Sequence, residues 1–210
     1  MGVRCFVVEQ GEEAERSLRR YVSDSHGDCP TNGYHNASVP LGRHALILDG
    51  DRTIAWIDPV TYLTHPAWPA ACSCGYVFTE DDERQVNQDP IYVALDKTGE
   101  WTQRELPPGA MWIASWLGEF WQINGGAGPA WIIKLPNGSE FIPGSEASNC
   151  DRAGQDHDCW CVHGEAPNFS IDKNPEPGRT TCSAGGGSIW SHQGQPDEWH
   201  GFVTAGELVG

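Results

Sequence analysis

The stretch Trp131–Ile142, WIIKLPNGSEFI, consists of an apolar run, a turn dipeptide and a second apolar run. The Asn-Gly pair at 137–138 favours a tight turn with positive φ, which is typical of a β-hairpin. Similar patterns surround Asp49-Gly50, Lys97-Thr98-Gly99 and Ala205-Gly206. Because strand signals outnumber helix signals, we predict a mainly β fold (α+β with minor helix) of antiparallel hairpins and small, turn-rich sheets.

Three segments have helical patterns instead. We expect Glu12–Tyr21 to form an amphipathic helix, and Glu80–Val86 to form a short helix that follows a capping-box pattern. The segment Ala110–Leu117 carries two tryptophans four residues apart, which fits one face of a buried helix. These segments are the minor helical part of the predicted fold.

The composition restricts the classes of partner. The chain has 210 residues, with 13 Lys and Arg against 29 Asp and Glu, for a formal net charge of −16. Nucleic-acid binding requires a basic surface, so this balance makes a nucleic-acid partner unfavourable. A protein partner is the expected alternative.

The first residues, MGVRCFVVEQGEEAERS, lack the basic segment and apolar run of a secretory signal. No apolar stretch approaches the roughly 18 residues that a membrane-spanning helix needs. We therefore expect a reducing cytoplasm and no membrane association. In that compartment, clustered cysteines favour metal binding over disulfides.

A first group of metal-binding residue types surrounds the segment Cys72-Ser73-Cys74-Gly75. Zinc sites use cysteine pairs on tight turns, and a glycine after the second ligand lets the backbone fold back towards the ion. We predict that Cys29 and His35 complete a four-ligand structural site, with His26 and His65 as substitutes. The alternative is a pair of buried or free thiols.

A second group is denser. The segment 159–163, CWCVH, alternates as a strand would, so that its two cysteines and its histidine fall on one face. The predicted ligands of this second site are Cys150, Cys159, Cys161, His163 and Cys182, with His157 as a further candidate. Some of these residues would be ordinary core in the alternative interpretation. Zinc is the expected structural cofactor of both sites.

No complete catalytic signature accompanies these groups. His163-Gly164-Glu165 matches one half of the zinc deaminase signature, but the P-C-x-x-C half does not follow it. H-E-x-x-H and G-x-S-x-G are absent, and Gly185–Ser188 does not continue into the Lys of a phosphate-binding loop. The sequence therefore favours a protein without catalytic residues, and a metal-dependent hydrolase is kept as the alternative.

The two groups also divide the chain. We expect an N-terminal β-rich region, 1–106, with the first group, and a C-terminal β-rich region, 107–210, with the second. The proline-proline-glycine segment 107–109 marks the boundary. One continuous domain is the alternative.

Several stretches together resemble uncharacterised proteins encoded by actinobacterial phages. These stretches are CWCVHGEAPNF (159–169), TCSAGGGSI (181–189), WHGFV (199–203), PPGAMW (107–112), SNC (148–150) and YHNAS (34–38). The resemblance covers most of the chain and brings no assigned activity. It implies a phage gene product that acts in the cytoplasm of a bacterial host or in the virion.

These observations lead to one expected function and two alternatives. We expect a phage-encoded, zinc-stabilised, non-catalytic protein that binds another protein of the host or the virion. A virion structural component, such as a minor capsid, decoration or tail protein, is the first alternative. The metal-dependent hydrolase is the second.

Overall fold

The computed structural model describes residues 2–50, 52–96, 98–117, 129–143, 145, 147, 149–152, 155, 157–175, 177–183 and 187–210. Regular structure in these residues consists of β-strands and three short 3₁₀ turns, with no α-helix in the described part of the chain. The prediction of a mainly β fold is therefore confirmed.

The strands are β1 (Val3–Arg4), β2 (Phe6–Tyr21), β3 (Asn36–Ala45), β4 (Leu48–Asp49), β5 (Arg52–Thr53), β6 (Trp56–Ile57), β7 (Glu83–Ala94), β8 (Glu100–Thr102), β9 (Ala110–Ile113), β10 (Trp131–Lys134), β11 (Glu140–Phe141), β12 (Cys161–His163), β13 (Ser170–Asp172), β14 (Ile189–Ser191), β15 (Trp199–Thr204) and β16 (Glu207–Val209). The 3₁₀ turns are Pro59–Tyr62, Gln103–Glu105 and Ser115–Leu117.

The chain forms two compact units. Unit 1 contains Met1–Gln10 and Tyr92–Gly210, and unit 2 contains Gly11–Ile91. This division differs from the expected boundary at 106/107. The reason is strand pairing, because β1 pairs with β16 and the first residues of β2 pair with β9.

Unit 1 is built on two sheets and a hairpin. One sheet has the order β1-β16-β15-β14, and β12 and β13 form a separate hairpin. In the second sheet, β11, β10 and β9 follow one another as antiparallel neighbours, and β9 runs parallel to the start of β2. The hairpin predicted around Asn137-Gly138 is present, with Ile133 opposite Phe141, and Gly138 has a φ of +83°.

Unit 1 contains two large apolar clusters and a small one, which consists of Ala147, Cys159 and Cys182. The first combines residues of both sheets and the β12–β13 hairpin, and its buried members are Cys5, Met111, Ile133, Leu135, Phe169, Ile171, Ile189, Val203 and Leu208. Cys5 is thus a core residue. The second cluster surrounds Trp112 and Tyr92, whose ring centroids lie 5.8 Å apart.

Unit 2 is built on long antiparallel pairs. Its part of β2 pairs with β3 from Glu13↔Ala45 to Tyr21↔Asn36, and β6 pairs with β7. Its buried apolar residues form two clusters, one of Leu18, Ile57 and Val86 and one of Cys29, Cys72 and Phe78. Gln88 is buried beside the β4–β5 hairpin, and its side-chain amide exchanges two hydrogen bonds of 2.8 Å with the backbone of Ile47.

The helix predicted over Glu12–Tyr21 is wrong, because this segment lies within β2. Its inward positions follow a period of two, and two of them are arginines. Arg16 donates to the Tyr62 hydroxyl at 2.8 Å, and Arg20 donates to the carbonyl of Thr79. Buried arginines at alternate positions hide the strand pattern and leave an apparent helical spacing of Ala14 and Leu18.

The other two helical expectations are also wrong. Residues 80–82 form a turn and β7 begins at Glu83, with the Asp82 carboxylate accepting the backbone N–H of Thr79 at 2.6 Å. Ala110–Ile113 is β9, and a 3₁₀ turn follows it. In the part of the chain that the structure describes, no helix has the length and apolarity needed to cross a membrane.

Candidate metal centres

The first cluster of ligand atoms begins with a tight turn that holds Cys72 and Cys74. The backbone N–H of Cys72 donates to the Tyr76 carbonyl at 2.8 Å, and that of Gly75 donates to the Cys72 carbonyl at 2.9 Å. Gly75 has a φ of +96°, a conformation that side chains with a Cβ rarely adopt. The turn therefore depends on glycine and directs both cysteines to one side.

The segment before β3 supplies the other two residues of this cluster. The backbone N–H of Gly33 donates to the Cys29 carbonyl at 2.9 Å, which closes the loop that follows Cys29. The backbone N–H of His35 donates to the Ser25 hydroxyl at 2.9 Å, and the His35 carbonyl accepts the N–H of Val22 at 3.0 Å. These bonds fix His35 immediately before β3.

The ligand atoms of Cys29, His35, Cys72 and Cys74 all lie within 4.8 Å of one another. The sulfurs of Cys29 and Cys72 are 3.7 Å apart, and the Cys74 sulfur is 3.3 Å from Nδ1 of His35. Two sulfurs bound to one tetrahedral zinc at about 2.3 Å would be separated by about 3.8 Å. The four residues could therefore hold a metal ion, and they are the four ligands predicted from the sequence.

The environment of the first cluster favours thiolate at Cys72 and opposes it at Cys74. The backbone N–H of Cys74, followed in effect by that of Asn36, lowers the pKa of the Cys72 thiol from 9.0 to about 6, against the effect of burial. The backbone N–H of Tyr76 also lowers the pKa of Cys74. Burial and the adjacent thiols of Cys29 and Cys72 outweigh that effect, so the pKa of Cys74 is raised overall. Thiolate is the form that binds metal.

The second cluster lies in unit 1 and consists of Cys150, His157, Cys159 and Cys182, whose ligand atoms also lie within 4.8 Å of one another. Nε2 of His157 is 3.1 Å from the Cys150 sulfur and 3.3 Å from the Cys159 sulfur. The Cys159 and Cys182 sulfurs are 3.6 Å apart. This second group of three cysteines and one histidine could hold a metal ion as well.

Loop contacts bring the second group together. The backbone N–H of Arg152 donates to the Cys150 sulfur at 3.3 Å. Asp158 and Thr181 form an isolated parallel bridge, which places Cys159 beside Cys182. Burial raises the pKa of the Cys159 thiol to about 12, and the neighbouring thiols of Cys182 and Cys150 add to that increase.

The imidazole of His157 is oriented from its other side. Its Nδ1 lies 2.8 Å from the carbonyl of Gln155, so this nitrogen carries the proton and Nε2 is free to face the sulfurs. A histidine ligand in a metal site is commonly fixed in this way by a backbone carbonyl. His157 is therefore arranged as a ligand would be.

Two residues predicted as ligands of the second site lie outside it. The strand that was expected over 159–163 begins only at Cys161, so the alternation does not extend to Cys159. Cys161 is buried, and burial raises the pKa of its thiol. Nε2 of His163 lies 2.9 Å from the Asp172 carboxylate. His157, which the sequence offers as a further candidate, completes the group in their place.

The substitutes considered for the first site are engaged elsewhere. The His26 ring lies 5.6 Å from the ring of Tyr34, and Nδ1 of His65 accepts the backbone N–H of Ala67 at 3.2 Å.

One further residue contacts the second cluster and is not part of any sequence motif. Lys173 reaches it from the end of β13, nine residues before Cys182.

No protein-family model, no curated protein and no solved structure matches this chain.

Proposed function

We propose that each cluster binds one structural Zn²⁺ and that the protein acts by binding another protein rather than by catalysis. The observation that supports this proposal is the convergence of three cysteines and one histidine at two separate places. Thiolate and imidazole together select zinc over the harder cations Mg²⁺ and Ca²⁺, which prefer oxygen ligands.

The number of protein ligands favours a structural role for the ions. Catalytic zinc sites keep a position open for water or substrate, whereas structural sites are closed by four protein ligands. Each cluster offers four. Cys29, Cys72, Cys159 and Cys182 are each at most 6% exposed, which leaves little room for a substrate beside them.

The exposed face of the β14–β15–β16 sheet supports a binding role. Trp190 lies opposite His200, and Phe202 lies opposite Val209, so that all four side chains are on one face. Trp190 is 51% exposed and Phe202 is 45% exposed, and the rings of Trp190 and His200 stack at 5.1 Å. Exposed aromatic side chains of this kind are enriched in protein–protein interfaces.

The proposed partner is a protein of a bacterial host or of a phage particle. The resemblance to actinobacterial phage proteins supports this setting, and the net charge of −16 supports a partner other than nucleic acid. A role as a virion component is the second candidate. Mass spectrometry of purified particles would distinguish the two roles, since only a virion component is retained in them.

Metal analysis tests the zinc proposal. Protein purified without chelator should contain two zinc ions per chain, and Cys29→Ala and Cys182→Ala should each remove one. A protein that contains no zinc, and binds none when Zn²⁺ is added to the reduced protein, would contradict the proposal. The Co²⁺-substituted protein should have the spectrum of a tetrahedral site that added azide does not change. A spectral change with azide would favour the hydrolase alternative.

Co-purification from the bacterial host tests the binding role. The double variant Trp190→Ser, Phe202→Ser should lose a partner that the native chain retains, with its zinc content unchanged. Trp56→Ser is the matched control, because Trp56 is 65% exposed and belongs to unit 2. If the double variant retains every partner of the native chain, this face is not the binding surface.

A further inference from the structure

The side chain of Lys173 contacts the second cluster directly. Its ammonium group donates to the Cys159 carbonyl at 2.7 Å and to the Cys182 sulfur at 3.7 Å. The two contacted residues are a ligand pair of the cluster, with sulfurs 3.6 Å apart. Lys173 is partly buried, so the interaction of its charge with neighbouring groups is screened less than that of a fully exposed lysine.

The charge of a metal-bound cluster explains why this contact would be stabilising. Three thiolates and a neutral imidazole around a divalent ion leave one net negative charge, and burying a net charge without a partner is unfavourable. Lys173 supplies one positive charge at the sulfur of a ligand. In addition, a charge-assisted hydrogen bond to thiolate is stronger than one between neutral groups.

We propose that Lys173 is a positioning residue of the second metal site, where its ammonium group neutralises the ligand set and holds Cys159 and Cys182 in place for the ion. This inference rests on the proposed function, because it requires that the second cluster binds a metal. Lys173 itself does not bind the ion.

The fold fixes Lys173 through its two neighbours in the sequence. The Asp172 carboxylate accepts the backbone N–H of Asn174 at 2.7 Å and lies 2.9 Å from Nε2 of His163. Asp172 is also paired with Cys161 across the β12–β13 hairpin. His163 is therefore not a ligand of the cluster. Its contact with Asp172 instead helps to fix the turn that carries Lys173.

The packing of Gly187 restrains the same turn. A Cβ at position 187 would lie 3.1 Å from Cα of Asp172 and 3.7 Å from the backbone nitrogen of Lys173. Gly187 also has a φ of +84°. A glycine at this position therefore lets the chain after Cys182 pass close to the turn.

The first cluster is supported differently. The donors to the Cys72 sulfur are neutral groups, namely backbone N–H groups and the side-chain amide of Asn32 at 3.9 Å. Several neutral donors thus each contribute a partial charge at the first cluster, whereas Lys173 places one full positive charge beside the Cys182 sulfur. A change at Lys173 should therefore affect the second site alone.

The test uses the full-length reduced protein with Zn²⁺ and Co²⁺ as probes. Zinc affinity is measured at each site by competition with a chromophoric chelator, and the Cys182→Ala variant identifies which phase belongs to the first site. We expect Lys173→Met to weaken zinc at the second site by about tenfold or more, the usual range for a residue that supports a ligand. Zinc binding at the first site, which lies in unit 2, should stay within twofold, and the Co²⁺ spectrum of the second site shows whether unit 1 of the variant is folded.

Two further variants separate charge from structure. Lys173→Arg keeps the positive charge and should recover part of the lost affinity. Arg104→Met removes a positive charge from an exposed residue of the same unit that contacts neither cluster's ligands, and it should change the affinity by less than twofold. The thiolate-to-cobalt absorption of Lys173→Met at saturating Co²⁺ should match that of the native protein, since the four ligands are unchanged.

Each contrary result overturns the inference. Native affinity in Lys173→Met, equal losses in Lys173→Met and Lys173→Arg, or an equal loss in Arg104→Met would each exclude a specific role for the Lys173 charge. If the native protein binds zinc at neither cluster, the proposed function and this inference both fail. If it binds two ions and Lys173→Met is unchanged, only the inference fails.

Discussion

The rings of His35 and Tyr76 stack almost in parallel, with centroids 4.3 Å apart and planes 11° apart. Nδ1 of the same imidazole faces the Cys74 sulfur at 3.3 Å. Tyr76 is in turn in edge-to-face contact with Phe78, whose side chain is buried. The ring of Tyr76 thus fixes the orientation of the candidate ligand His35. Tyr76 itself lies two residues after Cys74, which is another candidate ligand of the same cluster.

We expect Tyr76→Ala to weaken zinc at the first cluster by about tenfold, because residues that orient a ligand typically contribute this much to metal affinity. Tyr76→Phe keeps the stacked ring and should stay within threefold of the native protein. Chelator competition measures both variants. Equal affinities in Tyr76→Ala and Tyr76→Phe would show that ring stacking does not orient His35.

Removal of single cysteines should separate ligands from core residues. Cys161→Ala should leave two zinc ions per chain, because Cys161 lies outside both groups of ligand atoms. Cys159→Ala should leave one. Elemental analysis of the purified variants gives the count directly, and Cys5→Ala serves as a control for the loss of a buried thiol. A loss of one ion from Cys161→Ala would place this residue among the ligands.

Zinc binding at the second cluster should depend on pH. The pKa of the Cys159 thiol is about 12 without metal, so this group is protonated at pH 7 to 9 and must release its proton when zinc binds. The apparent affinity should therefore rise by at least about tenfold for each unit of pH in this range. Chelator competition at several pH values measures the slope, and an affinity that is constant between pH 7 and 9 would contradict the assignment of Cys159.

Truncation of Leu18 tests the core of unit 2. This side chain is fully buried against Ile57 and Val86, so Leu18→Ala should lower the free energy of unfolding by about 2–5 kcal/mol. Val60→Ala removes an apolar side chain that is 62% exposed and should change it by less than about 0.5 kcal/mol. Denaturant titration of the two variants checks the contrast. Similar values for both would show that Leu18 is not part of a packed core.

The turns and hairpins could be predicted from the sequence because their signals are local. Asn137-Gly138 and Ala205-Gly206 each connect paired strands, as their turn chemistry indicates. The strand over Glu12–Tyr21 could not be predicted, because two of its inward positions are arginines whose partners lie far away in sequence. Tyr62 is 46 residues from Arg16, and Thr79 is 59 residues from Arg20.

The four residues that the sequence predicts for the first site lie together, whereas only Cys150, Cys159 and Cys182 of the five predicted for the second site do so. Cys72 and Cys74 lie on a turn that a glycine marks, so spacing is informative there. The ligands of the second site depend on where β12 starts. The alternating pattern in the sequence includes Cys159, but the strand begins only at Cys161. The role of Lys173 could not be predicted, because its contacts with Cys159 and Cys182 form only in the folded chain and follow no spacing pattern in the sequence.

The pairing of Val3 with Leu208 has a consequence for how the protein is made. On the ribosome, residue 3 emerges roughly 200 residues before its partner, and at about 5–20 residues per second the strand waits ten seconds or more. Unit 2, whose residues are contiguous in the chain, has all its partners during this interval and can fold first. Strand β1 meanwhile lacks β16, so the sheet that contains both strands can close only after residue 208 has left the ribosome.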